Sequence, residues 1–387
     1  PAVETLGSVS VICTDKTGTL TENQMLVERL WTPHGEYEVS GDGYAPDGTI
    51  TPSADGDALA RRAAAIAAAC NDATLVPPDG GGEWAITGDP TEGALVAFAA
   101  KLGVVQKDLN AWCPRIAEIS FDSERRRMTT VHERGQCDID IEEPNWVAVK
   151  GAIESIAPLL AADQAPVLEA ARDVAERFAA DGYRVLALAD AGIEVVPDEP
   201  EDAEQGLQLV GVVAMADPPR ESAAVAIRES RSAGITPVMI TGDHQLTATA
   251  IAKRLGMLDD TRESITGAEL AKISDEELAE RVRTIGVYAR TNPEQKLRIV
   301  DAWRKQGAVS AMTGDGVNDA PALRKADIGV AMGITGTDVS KEASDMILED
   351  DDFSTIVAAV EEGRRIYANI RRFVRYLLTT NSAEIMV

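Results

Sequence analysis

Through the second half of this sequence, short β-branched runs alternate with helical segments, and no other feature narrows the possible folds as far. From about Gly211 the order is ITPVMI, HQLTATAIAKRLG, IGVYA, PEQKLRIVDAWRKQ, AVSAM, NDAPALRKA and IGVAM. This alternation predicts a parallel sheet covered by helices, an α/β architecture of the doubly wound kind. SVSVIC, Ser8 to Cys13, has the same character. The simplest assembly places that run in the later sheet and leaves roughly Leu30 to Gln208 as an insertion. The insert combines Gly/Pro/Asp loops, an Ala-rich helix near Ala60 to Ala69 and strand candidates such as WVAVK and RVLALAD, which together predict an α+β domain. The expected division is residues 1–29 and 209–353 in one domain, 30–208 in the insert, and a separate segment over 354–387.

A chain of 387 residues exceeds the size at which one core keeps growing, so two domains are the default. With 64 acidic against 37 basic residues, the net charge of −27 excludes a general binder of nucleic-acid backbones. Any anionic ligand must then be held by local cations. Cys13, Cys70, Cys113 and Cys137 form no CxxC pair and are expected to be reduced thiols, and three histidines are too few for a His-rich metal centre. The sequence opens at Pro1 with no signal-like segment, and is expected to be a piece of a longer protein.

Four loops follow predicted strands of the parallel sheet: Asp15 to Thr19 (DKTGT), Thr241-Gly242-Asp243, Arg290 to Lys296 (RTNPEQK) and Thr313 to Asp319 (TGDGVND). In an open α/β sheet, ligands bind beyond the carboxyl ends of the strands, so the four loops should converge. Taken alone, Asp15 could simply cap a turn and Lys296 could be surface charge. Taken together, the loops describe phosphate chemistry. Asp15 and Asp315 can share Mg²⁺, a hard ion that takes one or two carboxylates with water and phosphate. Lys296 supplies the cation, the Thr241 or Thr19 hydroxyl donates to the phosphoryl group, and the Asp15 carboxylate attacks in line.

DKTGTLT at Asp15, KGA at Lys150, DPPR at Asp217, MITGD at Met239 and TGDGVNDAPAL at Thr313 resemble the motifs of P-type cation-transporting ATPases, within the haloacid-dehalogenase-like superfamily. The resemblance implies that Asp15 is phosphorylated by ATP and that Asp15, Thr17 (through its carbonyl) and Asp315 hold Mg²⁺. It further implies that Lys16, Thr241, Gly242, Asp243, Lys296, Asn318 and Asp319 hold the phosphoryl group or organise its loops. Phosphatases of that superfamily carry a second Asp two residues after the nucleophile; Thr17 stands there, so an acyl phosphate is expected to persist.

By the same resemblance the insert carries ATP. GDPTEGAL points to Glu92 at the base, Phe121 would stack on adenine, Lys150 would line the pocket and Arg184 would reach the phosphate or ribose side. Arg126, taken from the run Arg125 to Arg127, joins this set, as do Asp217, Arg220 and Arg290. The GDPTEGAL, FDSxR and DPPR segments resemble the branch of calcium, sodium/potassium and proton/potassium pumps, with a calcium-pump-like protein the leading expectation. Ser354 to Leu378 reads either as a surface helix with a solvated basic face or as a stalk approaching an anionic membrane. In the resembled family RYLLTTNSAEI begins the fifth membrane helix, where Asn381 and Glu384 would contact the transported cation. Phe373 to Val387 is itself shorter than the ~20 residues a span needs, so the piece is expected to be soluble, at the cytosolic face of a membrane in the whole protein. Two alternatives stay open: a soluble phosphatase of the same superfamily, and a nucleotide-binding module without turnover.

Overall fold

The computed structural model describes residues 5–386 apart from 42, 79, 81, 137 and 138, with the side chains of 200 and 382–386 also outside the description. The chain packs as two units, one running up to Asn23 and resuming at Pro219, the other Gln24–Pro218. Strand β1 (Val11–Thr14) lies in the first unit. The second contributes β2 (Leu26–Thr32), β3 (Gly35–Val39), β4 (Ile50–Thr51), β5 (Thr74–Val76), β6 (Ala85–Thr87), β7 (Arg115–Asp122), β8 (Arg127–Glu133), β9 (Asn145–Gly151), β10 (Arg184–Ile193) and β11 (Gln208–Ala216). The first unit then resumes with β12 (Thr236–Ile240), β13 (Glu263–Thr266), β14 (Ile285–Ala289), β15 (Ser310–Gly314), β16 (Ile328–Met332) and β17 (Met346–Leu348).

In the first unit all seven strands are parallel, in the order β13-β14-β12-β1-β15-β16-β17. The N-terminal β1 therefore sits near the middle, with Val11 opposite Thr236 on one side and Ser310 on the other. Its neighbours along the strand face opposite ways. Ile12 packs with Met239, Val287 and Ala311 against helices Glu221–Ser232 and Gln245–Arg254, while Val11 and Cys13 pack with Val238, Ile240 and Met312 against helices Pro293–Lys305 and Ala320–Lys325. Burial on both faces is why these strands read as unbroken apolar runs rather than as alternating ones.

The second unit is built on an antiparallel sheet, β4-β3-β2-β11-β10-β9-β8-β7, with β5 and β6 paired separately. One face is covered by helices Ala58–Ala69 and Pro90–Lys101, the other by helix Ala165–Ala180. Asp57 and Asp89 cap the first two helices by accepting backbone N–H bonds, at 2.8 Å from Leu59 and 2.8 Å from Thr91; such a cap contributes ~1 kcal/mol. Alanine at nearly every inward position of Ala58–Ala69 lets that helix lie close to its neighbours.

Two expectations change here. The units divide at Asn23/Gln24 and Pro218/Pro219, not near Leu30 and Gln208, because β2 and β11 pair with each other inside the antiparallel sheet, Leu30 opposite Val213. The apolar run beginning at Leu209 thus belongs to the insert. Cys113 is disulfide-bonded, so reduced thiols are found at Cys13 and Cys70, both buried; Cys137 lies outside the described residues. Spacing along the sequence carries no information on which cysteines approach in the fold.

Helix Phe353–Met386 closes the first unit. Its 34 residues span about 51 Å at the usual rise. Phe353, Ile356 and Val360 are buried against the sheet's helices. Gly7 lies so close to this helix that a Cβ there would come within 2.7 Å of the Gly363 carbonyl, and Arg364 donates to the carbonyls of Val9 and Ala233. Further along, Tyr367, Ile370, Phe373, Tyr376 and Leu378 are exposed. Among the described residues no helix is long and apolar enough to cross a membrane.

Candidate active site

Because β1, β12 and β15 are parallel neighbours, the loops that leave their carboxyl ends emerge on one edge of the sheet. Asp15 is the first residue beyond β1. Its amide donates to Thr313 Oγ1 at 3.1 Å, and that hydroxyl donates to Thr14 Oγ1 at 3.1 Å, which ties β1 to β15 just where the loop starts. The Asp15 carboxylate is held by two donors. The Lys16 amide donates to Oδ1 at 2.7 Å, and Lys296 Nζ donates to Oδ2 at 2.7 Å.

Lys296 reaches this position from the first turns of helix Pro293–Lys305. A reciprocal cap between Asn292 and Gln295 and a proline at the first helical position start that helix. The same ammonium donates to Asp319 Oδ1 at 2.6 Å, and Asp319 Oδ2 accepts the Gly316 amide at 3.1 Å. Burial by itself would discharge Lys296, but the Asp15 and Asp319 carboxylates outweigh it and hold the ammonium charged well above the usual lysine range. Gly314 is required by this packing, since a Cβ there would stand 2.4 Å from Asp319 Cβ.

Lys16 is buried and pairs with Asp243 Oδ2 at 2.8 Å. The Asp243 amide donates to Thr241 Oγ1 at 3.1 Å, and the amides of Arg290 and Thr291 donate to the Asp243 and Thr241 carbonyls, which lashes the third loop to the second. Gly242 borders open space: a Cβ added there would meet nothing within 4 Å. Asn318 is exposed and Thr17 half-buried.

Asp315 forms no salt bridge among the described residues. Burial, then the neighbouring charges of Asp15 and Asp319, push its carboxyl above the usual range. This end of the sheet thus carries more negative charge than its two lysines neutralise, the condition that favours a bound cation. No group of three or more His, Cys, Asp or Glu side chains forms a metal centre by itself among the described residues. Two carboxylates and a backbone carbonyl, completed by water and phosphate oxygens, are nevertheless an ordinary donor set for Mg²⁺.

Thr19 does not have the role suggested by its motif. It is buried and its hydroxyl donates to Met332 Sδ at 3.3 Å; Thr241 is equally buried, and its hydroxyl accepts the Asp243 amide. Arg220 donates to the carbonyls of Gly18 and Thr21, both at 3.2 Å, and so braces the loop after β1. Sequence reasoning missed the support of Asp315: its carbonyl accepts from the Thr337 amide at 2.8 Å, Thr337 Oγ1 at 3.1 Å and Ser340 Oγ at 2.9 Å. A threonine followed by an aspartate at a helix start is an N-cap signal that could have drawn attention there.

The second unit gathers a separate group. Glu92, in the first turn of helix Pro90–Lys101, pairs with the buried Lys150 at 2.6 Å and accepts the Asp72 amide at 3.3 Å. Arg184, at the start of β10, donates to the adjacent Thr91 Oγ1 at 2.9 Å. Phe121 lies near the end of the edge strand β7 and is 61% exposed, unusual for so large an apolar ring. Register places it near this group: Asp122 is opposite Arg127 and Arg127 opposite Gly151, so Phe121 and Lys150 share one end of the sheet two strands apart, about 10 Å.

The three arginines after Phe121 divide sharply. Arg125 and Arg127 both bind the buried carboxylate of Glu204, Arg127 through two nitrogens at 3.0 and 2.6 Å. Arg126 has a positive φ of 52° and an exposed side chain with no hydrogen bond or ion pair to another described residue. Asp217 accepts the Gln24 amide at 3.2 Å, and Arg290, also at positive φ, is exposed. On the C-terminal helix Asn381 is exposed, while the side chain of Glu384 falls outside the described residues.

Residues 60–222 match the family model for the cytoplasmic domain N of P-type ATPases. The whole chain aligns with a probable cation-transporting ATPase F of Mycobacterium bovis at 48% identity. It aligns with a calcium-transporting ATPase of Bacillus subtilis and the cation-transporting ATPase pma1 of Synechocystis at 42% each, again over 100% of this chain. The chain spans 44% of the length of each of these relatives.

Proposed function

Since this chain belongs to the P-type ATPase family and carries its cytoplasmic domain N, we propose that it is the catalytic portion of an ATP-driven cation pump and that Asp15 is its phosphorylated residue. The observation that carries this reading is the setting of the Asp15 carboxylate, one oxygen on the Lys16 amide and the other on the buried Lys296 ammonium, at the carboxyl edge of a parallel sheet. The sheet order, with β1 enclosed by later strands, supports a haloacid-dehalogenase-like fold for this unit.

On this reading the second unit binds ATP, with adenine on the exposed Phe121 ring and the nucleotide's polar groups met by Glu92, Lys150, Arg184 and Arg126. An Asp15 carboxylate oxygen attacks the γ-phosphorus, the bond to the β,γ-bridging oxygen breaks, and ADP leaves with that electron pair. Lys296 aims the Asp15 carboxylate while its second contact fixes Asp319. On the same reading the Thr241 hydroxyl and the backbone at Gly242 supply donors to a phosphoryl oxygen. Mg²⁺, when bound, neutralises phosphoryl charge; Asp15, Asp315 and the Thr17 carbonyl would hold it. Thr17 carries no carboxylate to activate water, which favours an acyl phosphate that outlasts its formation and can be coupled to conformational change.

Calcium is the cation we assign, on the names of relatives such as the calcium-transporting ATPase of Bacillus subtilis. Asn381 and Glu384 are the candidate contacts, with helix Phe353–Met386 leading toward the membrane portion of the whole protein. The test is incubation with Mg²⁺ and γ-labelled ATP followed by acid quench. Label that survives acid, is released by hydroxylamine and disappears in Asp15→Asn is the expected result; label that persists in Asp15→Asn overturns the assignment.

A further inference from the structure

The phosphorylation reading uses Asp315 but does not account for how its loop is held against the like charges of Asp15 and Asp319. The segment between β16 and helix Asp338–Glu342 supplies an answer. Gly333 to Thr337 forms a tight loop in which a Cβ on Gly336 would fall 2.0 Å from the Met332 carbonyl. The loop faces both halves of the site. Thr335 Oγ1 lies 3.9 Å from where a Cβ on Gly18 would stand, within the loop after β1. The Thr337 amide donates to the Asp315 carbonyl, and the Thr337 and Ser340 hydroxyls lie within hydrogen-bond distance of it, the Ser340 hydroxyl shared with the Thr337 carbonyl at 2.7 Å.

The far end of the loop is held by one residue remote in sequence from every catalytic motif. Asp351 is 2% exposed, and its carboxylate accepts the amides of Gly333 at 2.6 Å, Ile334 at 3.1 Å and Thr335 at 2.9 Å, with the Thr335 hydroxyl at 2.8 Å. It takes this position at a φ of +54°, a left-handed conformation that L-residues adopt at a cost. Burial works against its charge, yet the four donors hold the carboxyl below the usual range. Three backbone amides converging on one carboxylate, from a strained backbone, is a more specific device than closing a surface loop requires.

We propose that Asp351 is a positioning residue for phosphoryl transfer: through the Gly333 to Thr337 loop and the Thr337 and Ser340 hydroxyls, it fixes the Asp315 backbone so that the carboxylate stays at the Mg²⁺ and phosphoryl position. The proposal rests on the assignment of Asp15 and Asp315 above. Its role is mechanical, since its carboxylate is taken up by the Gly333, Ile334 and Thr335 donors. Asp351→Asn retains size and tolerates positive φ but replaces one acceptor with a donor facing amides. Ser340→Ala removes, at the other end, the hydroxyl that lies between the Asp315 and Thr337 carbonyls.

The experiment titrates Mg²⁺ into the purified chain with beryllium fluoride as a phosphoryl mimic, read by intrinsic tryptophan fluorescence and thermal shift. ATP affinity is measured alongside as a readout of the second unit. The expected result is a half-saturating Mg²⁺ concentration raised about 10-fold in Asp351→Asn and about 3-fold in Ser340→Ala, with ATP affinity unchanged. Variants that melt earlier but saturate at the wild-type Mg²⁺ concentration would show that the loop only stabilises the fold, and would overturn the proposal. A wild-type chain with no Mg²⁺-dependent response to beryllium fluoride would instead remove the phosphorylation reading, and the proposal with it.

Discussion

Lys296 and Asp15 are joined at 2.7 Å across 281 residues of sequence, and the same ammonium binds Asp319 at 2.6 Å. One buried cation therefore sets the geometry of two separate loops. Lys296→Met should slow acyl-phosphate formation by about 10²-fold or more, the scale seen when one preorganised charge-stabilising donor is removed. Single-turnover labelling with γ-labelled ATP checks this; a rate within a factor of three of wild type would mean that the lysine only fills space.

Phe121 is mostly solvent-exposed, so its removal should not disturb the fold. Phe121→Ala is expected to weaken ATP binding about 10-fold or more, since an aromatic ring stacked on a base contributes roughly 1–3 kcal/mol. Calorimetric titration of nucleotide, beside a melting curve that stays in place, measures both effects. Unchanged affinity would put the base elsewhere.

The arginines beside it should separate function from structure. Arg127→Ala strips the buried Glu204 of a two-pronged partner and is expected to destabilise the chain by about 3 kcal/mol. Arg126→Ala should leave stability within about 0.5 kcal/mol while weakening ATP binding several-fold. Chemical denaturation and nucleotide titration of the two variants test the split, and an Arg126→Ala chain that melts early with normal affinity would reverse it.

His132 gives the second unit a pH dependence. It is fully buried beside Trp146, and burial pushes its pKa down to about 4. Nδ1 is 3.1 Å from the Cys113 carbonyl, which can only accept, so the proton sits on Nδ1 and Nε2 accepts from the Thr130 hydroxyl. The unfolded chain takes up a proton near pH 6.5 that the folded chain refuses until about pH 4. Stability is therefore full above 6.5 and falls by about 3 kcal/mol as pH drops through that window. Urea unfolding at pH 7, 6 and 5 should show this slope, reduced in His132→Gln; an equal slope in both would assign it to other groups.

The sequence reveals most where one physical cause dominates. The strands of the first unit announce themselves because both faces are buried, and the site loops because a parallel sheet collects the carboxyl ends of its strands on one edge. It is less informative where side chains choose among neighbours. Nothing in the run of Arg125, Arg126 and Arg127 says that Glu204, far along the chain, claims the outer two. Thr19 has the hydroxyl its motif promises, yet the turn after β1 sets it on Met332. β2 and β11 look equally able to join either sheet, and only their pairing with each other assigns them to the insert. The support of Asp315 by Thr337 and Ser340 depends on a turn geometry that spacing alone does not determine.

The central claim, that Asp15 is the phosphorylated group, is tested most directly by trapping the acyl phosphate with borohydride after reaction with Mg²⁺ and ATP and locating the reduced residue by peptide mass spectrometry. Homoserine at position 15 is the predicted result. Reduction at Asp243, Asp315 or Asp319 instead, or no reduced residue in a chain that has turned over ATP, would contradict it.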